Sequence, residues 1–308
     1  MRIIFMGSAE LAVPSLQALI HAADVELVGV VSQPDRPAGR KRVLTPCPLK
    51  AFAEQQGLAV LTPERIGDPE SVQALEALRP DLLVVVAYGQ YIPQRIIHLG
   101  PFQAINVHPS LLPKYRGAAP IQWAILNGDQ VTGVSIIYLA KKMDAGDLIR
   151  QETYPLGCDE TSATLHDKLA VFGADLLVKA VGDIRSGSVV RIVQNESEKT
   201  EVRKLTKDDG KIDWSLSADV IRNRIRAFDP WPGSFCKLPN GDALKVWQAE
   251  WVEETGVPGE LLDDQLLVAT GVGALRLIEV QPLGKKRMPA SSFLNGCPMS
   301  KGMSLQNP

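Results

Sequence analysis

The chain has 308 residues, of which 45% are hydrophobic and 22% charged, with a formal net charge of −2 at pH 7 and a mean hydropathy near zero. That balance excludes a disordered polymer, and the longest apolar runs, such as 82–87, fall far short of the roughly 18–20 residues that a membrane-spanning helix needs. A near-neutral chain has no overall pull on a polyanion, so any nucleic-acid contact must come from local basic patches. The four cysteines, Cys47, Cys158, Cys236 and Cys297, form no CxxC pair and match neither a zinc site nor a disulfide scaffold; they are read as free thiols and no metal is expected. The apolar start is broken by Gly7, Ser8 and Glu10 before a secretory signal develops, which predicts a cytoplasmic protein.

The length predicts two domains. In the first, short β-type runs alternate with helical patterns, which predicts an α/β fold built on a Rossmann-like parallel sheet with crossover helices. Strands are predicted at 2–6, 25–31, 81–87 and 104–107, and helices at 14–22, 50–56 and 69–78; the run DLLVVVA at 81–87 reads as a strand buried on both faces. A helix at 121–127, a strand at 133–138 and a long amphipathic helix at 164–181 follow. Gly, Ser, Glu, Lys and Arg then dominate without periodicity, so the domains are set at 1–186 and 207–308 with a linker at 187–206. After a helix at 217–227, short strands near Phe235, 244–251, 266–269 and 274–280 predict a smaller, OB-like β-barrel. Neither half is basic overall, and there is no internal repeat.

The most informative stretch is INVHPSLLPKYRGAAPIQWAILNGD, at 105–129. Asn106 and His108 stand two apart at the end of a strand, so both side chains leave the same face. The carboxyl ends of strands in an open α/β sheet border the ligand crevice, where such groups are useful. His108 taken alone better fits a histidine satisfying one hydrogen bond in a loop, and its neighbours shift that reading. Arg116, Gly117, Ala118 and Ala119 allow close backbone approach before a helix. Asp144 and Asp147 flank Gly146: a carboxylate here either reaches His108, to set its protonation or relay a proton through water, or belongs to a β-turn with solvated acids. Spacing leaves both open. At 34–42, four basic residues face the single acid Asp35, and Pro37 and Gly39 predict irregular structure; the run is a nucleic-acid contact or simply a solvated face.

Taken together, Asn106, His108, SLLP at 110–113, RGAAPIQWAILNGD at 116–129, TGVSI at 132–136 and MDAGD at 143–147 resemble the folate-dependent formyltransferase family. The likeness extends through SQPDRPAGRKR at 32–42, KLTKDDGKIDW at 204–214 and RAFDPWPGSF at 226–235, and so covers nearly the whole chain. It implies transfer of a formyl group from 10-formyltetrahydrofolate, a cosubstrate used without a metal, to the α-amino group of methionyl-initiator tRNA. It implies Asn106, His108 and Asp144 as catalytic residues, and Ser110, Leu111, Leu112 and Pro113 as one wall of the folate site with Tyr88 and Gly89 opposite. Arg36, Arg40, Lys41 and Arg42 would reach the acceptor end of the tRNA, and the C-terminal barrel would hold the rest of the acceptor arm, using Lys204, Lys207, Lys285, Lys286 and Arg287. Pro109 departs from the family pattern, where Gly is more usual, and removes a backbone donor; no role is assigned to it.

Three rival readings are weaker. FMGSAEL lacks the GxGxxG of a nicotinamide-dependent oxidoreductase. A sugar-nucleotide formyltransferase or a formyltetrahydrofolate hydrolase domain would share Asn106, His108 and Asp144 but is disfavoured by the basic loop. A tRNA-binding protein without activity is disfavoured by those three intact residues. No heptad or long exposed apolar helix is visible, which predicts a monomer.

Overall fold

The computed structural model describes residues 1–39 and 42–307. In chain order the elements are β1 (Arg2–Gly7), α1 (Val13–Ile20), β2 (Glu26–Val31), β3 (Arg36–Ala38), β4 (Val43–Thr45), α2 (Pro48–Gln55), β5 (Val60–Leu61), α3 (Pro69–Ala77), β6 (Leu82–Val86), α4 (Gln94–Ile97) and β7 (Ala104–His108). Then come β8 (Arg116–Gly117), α5 (Pro120–Leu126), β9 (Val131–Tyr138), β10 (Leu148–Pro155), α6 (Ser162–Ser186) and β11 (Glu201–Val202). The last are α7 (Ala218–Ala227), β12 (Ser234–Lys237), β13 (Ala243–Val252), β14 (Leu267–Ala269), β15 (Ala274–Pro282), β16 (Met288–Pro289) and α8 (Ala290–Gly296). Helices α2, α3 and α5 each begin on a proline, whose fixed φ suits a first turn and whose missing N–H would have had no helical partner. No helix of the described residues is long and apolar enough to cross a membrane.

Two compact units result: 1–117, 131–155 and 166–201 form one, and 118–130, 156–165 and 202–308 the other. The 187–206 stretch, expected as a linker, divides after Glu201.

The first unit is built on a seven-stranded sheet of order β10-β9-β7-β6-β1-β2-β5. Strands β5, β2, β1, β6 and β7 run parallel, whereas β9 pairs antiparallel with β7 and β10 antiparallel with β9. The expected Rossmann-like sheet is therefore present as a mixed sheet. Every residue of β6 is buried, as strands with both faces covered require. From β1 the chain first builds outward through β2 and β5, then returns to the other side for β6 and β7, so the carboxyl ends of β1 and β6 mark the switch point where α/β sheets open a crevice. Strand β10 was not foreseen, although its burial alternates along LIRQETYP in the period of a half-covered edge strand.

The second unit carries the antiparallel order β12-β13-β15-β14, with β16 on β15. Short bridges close the ring. Leu261 pairs with Val268 of β14, Glu260 with Ser304, and Gln306 with Lys237 of β12. Lys237 and Gln306 exchange backbone hydrogen bonds of 3.0 and 2.9 Å. The small barrel is thus sealed by two extended pieces too short to show as a sequence pattern. Its core includes Trp214, Leu244, Val268, Leu277 and Leu305. Leu305 lies on the sealing piece and is 1% exposed, so Leu305→Ala should lower the unfolding free energy by about 2–5 kcal/mol. Urea titration followed by tryptophan fluorescence measures this, and a loss within about 0.5 kcal/mol would mean the sealing piece does not support the barrel.

Candidate active site

Strand β7 reads AINVH, and its alternation splits the side chains between two faces. Val107 meets Gly173 of α6 on one face, while Ala104 joins the core that includes Val72 and Leu75 of α3 on the other. Asn106 and His108 share that second face at the carboxyl end of the strand. No hydrogen bond engages the half-buried Asn106 amide among the described residues. His108 is 4% exposed, and its Nε2 lies 3.0 Å from the Tyr115 carbonyl. A carbonyl only accepts, so Nε2 carries a proton and Nδ1 is the nitrogen turned to Asp144 Oδ2, 3.8 Å away. That separation suits an ion pair once Nδ1 is protonated and is too long for a hydrogen bond. Ser110 N–H donates to the His108 carbonyl at 2.9 Å, a three-residue turn centred on Pro109, whose ring fixes φ in the range such a turn uses.

Asp144 sits in the left-handed region at φ +53° and is pinned by main-chain groups. Its Oδ2 accepts from Gly117 N–H at 2.8 Å, and Gly117 itself has φ +107°, open in practice only to glycine. The turn that presents Asp144 also needs Gly146, where an added Cβ would lie 1.7 Å from the Tyr138 carbonyl. Of the two acids, only Asp144 is brought to His108; Asp147 holds the turn through its carbonyl, which accepts from Tyr138 N–H at 3.0 Å.

The SLLP loop is fastened to β9 and β10. Ser110 is buried; its Oγ donates to Lys114 O at 2.7 Å, and its carbonyl accepts from Ser135 Oγ at 2.6 Å. Leu112 N–H donates to Ser135 Oγ at 3.1 Å, and Gln151 Nε2 donates to Leu112 O at 2.8 Å. Leu112 is a core residue with Ile137 and Leu148, Leu111 leans on Gly133, and the Pro113 carbonyl accepts from Thr200 N–H at 3.2 Å. Tyr88 and Gly89 instead follow β6 and line a cleft of about 450 Å³ with Ser8, Gln33, Arg36 and Cys47, at the switch point. The Tyr88 carbonyl already accepts from Ser8 Oγ at 3.1 Å and Gln33 Nε2 at 2.9 Å. The sheet order β9-β7-β6 sets Asn106 and His108 between the strand that anchors SLLP and the strand that leads to Tyr88.

Residues 1–181 match the formyl transferase family, and residues 204–298 match the formyl transferase C-terminal domain. The chain belongs to the formyl transferase family. It is 44% identical over 298 residues to the methionyl-tRNA formyltransferase of Macrococcus caseolyticus (strain JCSC5402), covering 96% of this chain and 95% of that one. Identity to the methionyl-tRNA formyltransferase of Alkaliphilus oremlandii (strain OhILAs) is also 44%, over 307 residues and 98% of each chain. Among solved structures the fold is similar to WlaRD, a sugar 3N-formyl transferase solved in the presence of dTDP and 5-N-formyl-THF, at TM-score 0.66 and 20% identity over 93% of this chain and 99% of that one. It is also similar to HypX from Aquifex aeolicus in complex with tetrahydrofolic acid, at TM-score 0.62 and 20% identity over 96% of this chain and 47% of that one. The oxidoreductase reading loses its basis with this membership.

In this formyl transferase part of the stretch expected to be irregular is a strand: β3 pairs with β4, Arg36 with Thr45, Pro37 with Leu44 and Ala38 with Val43. A two-stranded ribbon tolerates Pro37 because each strand has a free edge where a missing N–H costs nothing. Arg36 pairs with Glu64 at 2.7 Å in solvent, Asp35 pairs with Lys50 at 2.7 Å, and Arg42 is exposed. Arg40 and Lys41 lie outside the described residues. In the second unit Lys204, Lys207, Lys285 and Lys286 are exposed. Arg287, by contrast, is occupied: it donates to both carboxylate oxygens of Asp229 at 3.1 and 2.6 Å and lies 3.6 Å over the Trp247 ring. No group of three or more metal-ligating side chains occurs among the described residues.

Sequence reasoning missed what stands behind Asp144. Buried Arg116 donates through Nε and Nη2 to Gln194 Oε1 at 3.1 and 2.8 Å, and Gln194 Nε2 donates to the carbonyls of Asp144 and Gly146 at 2.8 and 2.7 Å. Glu196 also pairs with Arg116 at 2.7 Å, and that hydrogen bond holds its carboxyl below the ordinary range. The β-branched run VVRIV at 189–193 was the available signal, since Ile192 bridges to Leu148 at the start of β10.

The Tyr88 hydroxyl is buried without a partner among the described residues, and burial pushes its pKa up to about 12. An unfolded tyrosine ionises near pH 10, so between about 10 and 12 the unfolded state binds fewer protons and this group's contribution to stability falls as pH rises. Tyr88→Phe should remove the latest step of the ultraviolet tyrosine titration and leave stability at pH 7 unchanged or raised by up to about 1 kcal/mol. A clear loss of stability would show that the hydroxyl is satisfied.

Proposed function

We propose that this chain transfers the formyl group of 10-formyltetrahydrofolate to the α-amino group of methionyl-initiator tRNA for the initiation of protein synthesis. The observation that carries the reading is an Asn106 amide with no hydrogen-bond partner among the described residues, beside the His108–Asp144 pair at the carboxyl edge of the sheet. Likeness along nearly the whole chain to proteins named methionyl-tRNA formyltransferase supports the same substrates.

The folate donor supplies a formyl carbon bonded to a ring-bearing nitrogen. The amine of the methionyl ester forms a bond to that carbon, the bond to the folate nitrogen breaks, the amine loses a proton and the folate nitrogen gains one. As the amine adds, the formyl oxygen gains negative charge, and the Asn106 amide donates to it. His108 and Asp144 handle the proton: with Nε2 bound to the Tyr115 carbonyl, Nδ1 is the basic nitrogen, and Asp144 stabilises it once protonated. Once protonated, Nδ1 can also donate to the formyl oxygen while Nε2 keeps the Tyr115 carbonyl. Ser110, Leu111, Leu112, Pro113, Tyr88 and Gly89 bind the folate, with apolar surface for the ring system and main-chain groups for its polar edge.

Arg36, Arg40, Lys41 and Arg42 bind the tRNA acceptor end, where guanidinium groups meet phosphates or stack on unpaired bases. Residues 1–186, backed by Gln194 and Thr200, act as the catalytic domain and 207–308 as the tRNA-binding barrel. The protein acts in the cytoplasm as a monomer.

Incubation with labelled 10-formyltetrahydrofolate and methionyl-initiator tRNA should yield formylmethionyl-tRNA; no product would leave a protein that binds tRNA without activity. Asn106→Ala should keep the unfolding temperature and lower kcat by about 10²- to 10³-fold, the usual cost of one oxyanion donor, and His108→Ala should fall at least as far. Near-normal turnover by either purified variant removes that residue from the chemistry. Arg42→Ala should reduce the slope of log binding constant against log salt for tRNA by about one phosphate contact, and an unchanged slope takes Arg42 off the interface.

A further inference from the structure

We propose that Gln194, gripped by Arg116, is a positioning residue that sets Asp144 against His108. The inference rests on the catalytic reading of His108 and Asp144 given above.

Three consecutive residues hold both members of the pair. The Tyr115 carbonyl accepts from His108 Nε2 at 3.0 Å, and Gly117 N–H donates to Asp144 Oδ2 at 2.8 Å. Between them, Arg116 reaches the Asp144 main chain through Gln194. The side-chain amide of Gln194 is committed on both ends, because arginine only donates and carbonyls only accept; its oxygen must face Arg116 and its nitrogen the carbonyls of Asp144 and Gly146. Arg116 is 2% exposed and Gln194 6%, so water does not compete for these bonds. Asp144 has the left-handed φ of +53°, a conformation that persists only where surrounding bonds impose it, and Gln194 ties down its carbonyl and that of Gly146 two residues on. The tripeptide is itself moored: Tyr115 N–H donates to Thr200 Oγ1 at 2.7 Å and Arg116 N–H to Thr200 O at 2.9 Å. Residues 194–200 thereby form the rear support of the site.

Gln194→Glu discriminates. It keeps an acceptor for Arg116, so the packing survives, but an ionised carboxylate offers only acceptors to the two carbonyls. The folded variant should lose kcat by about 10- to 100-fold, the effect of an ångström-scale misplacement, with KM for both substrates within about twofold. In an Asp144→Asn background the same substitution should change kcat by less than about twofold, because the group it acts through is gone. Arg116→Lys is the second arm should Gln194→Glu fail to fold: it keeps the buried charge but cannot grip Oε1 with two N–H groups, and it should give the same kcat split and the same non-additivity. A folded variant with kcat near that of the unsubstituted chain, or a fall that repeats in full without the Asp144 carboxylate, overturns the inference. The ¹⁵N spectrum of the His108 ring gives a readout without turnover. Displacing Asp144 changes what Nδ1 faces, so its resonance should move in either variant; an unmoved resonance overturns the inference even if the unsubstituted chain formylates nothing, the result that would instead sink the function proposed above.

Discussion

A buried imidazole and a carboxylate 3.8 Å from it depend on main-chain atoms to hold that spacing, and here the atoms come from one tripeptide. The Tyr115 carbonyl fixes the ring and the Gly117 amide fixes the carboxylate. Backbone groups two residues apart are a stiffer ruler than side chains, because peptide planarity and the left-handed conformations at Tyr115 and Gly117 leave little to adjust. Nε2 is thereby committed to the Tyr115 carbonyl and Nδ1 is left facing Asp144 before any substrate arrives.

The sheet supplies the second constraint. Parallel strands with both faces covered admit polar side chains only at their ends, which is where Asn106 and His108 emerge from β7. The two antiparallel strands at that edge bring Ser135 and Gln151 to the SLLP loop and satisfy its backbone. SLLP therefore owes its shape to β9 and β10, and its leucines divide between core and half-exposed positions accordingly.

Charge is distributed with little to spare. Arg36 already pairs with Glu64, and Arg287 is committed to Asp229 and Trp247. Exposed pairs such as Arg36 with Glu64 contribute little and exchange readily for a phosphate, whereas an arginine clasped on both sides and stacked on a ring does not. In a chain of net charge −2, the surface open to a polyanion is set by which cations remain free, and composition does not reveal that.

The longer strands and helices of the first unit other than β10, the buried character of β6 and the common face of Asn106 and His108 were legible in the sequence, because strand and helix periodicity are local properties of adjacent residues. So was the family, since its motifs are contiguous. Spacing left Asp144 and Asp147 open, and the resemblance alone chose between them; the partners of His108 and the network through Gln194 were not legible, because they depend on contacts across dozens of residues, from Asp144 back to Gly117 and forward to Gln194. The pairing of β3 with β4 and the sealing of the barrel by Gln306 escaped for a related reason, since isolated pairs of extended residues carry too few positions to show a period. Local pattern determined which elements form; only the folded chain decided which hydrogen-bonding groups meet, because pairing depends on where distant segments are brought together in space.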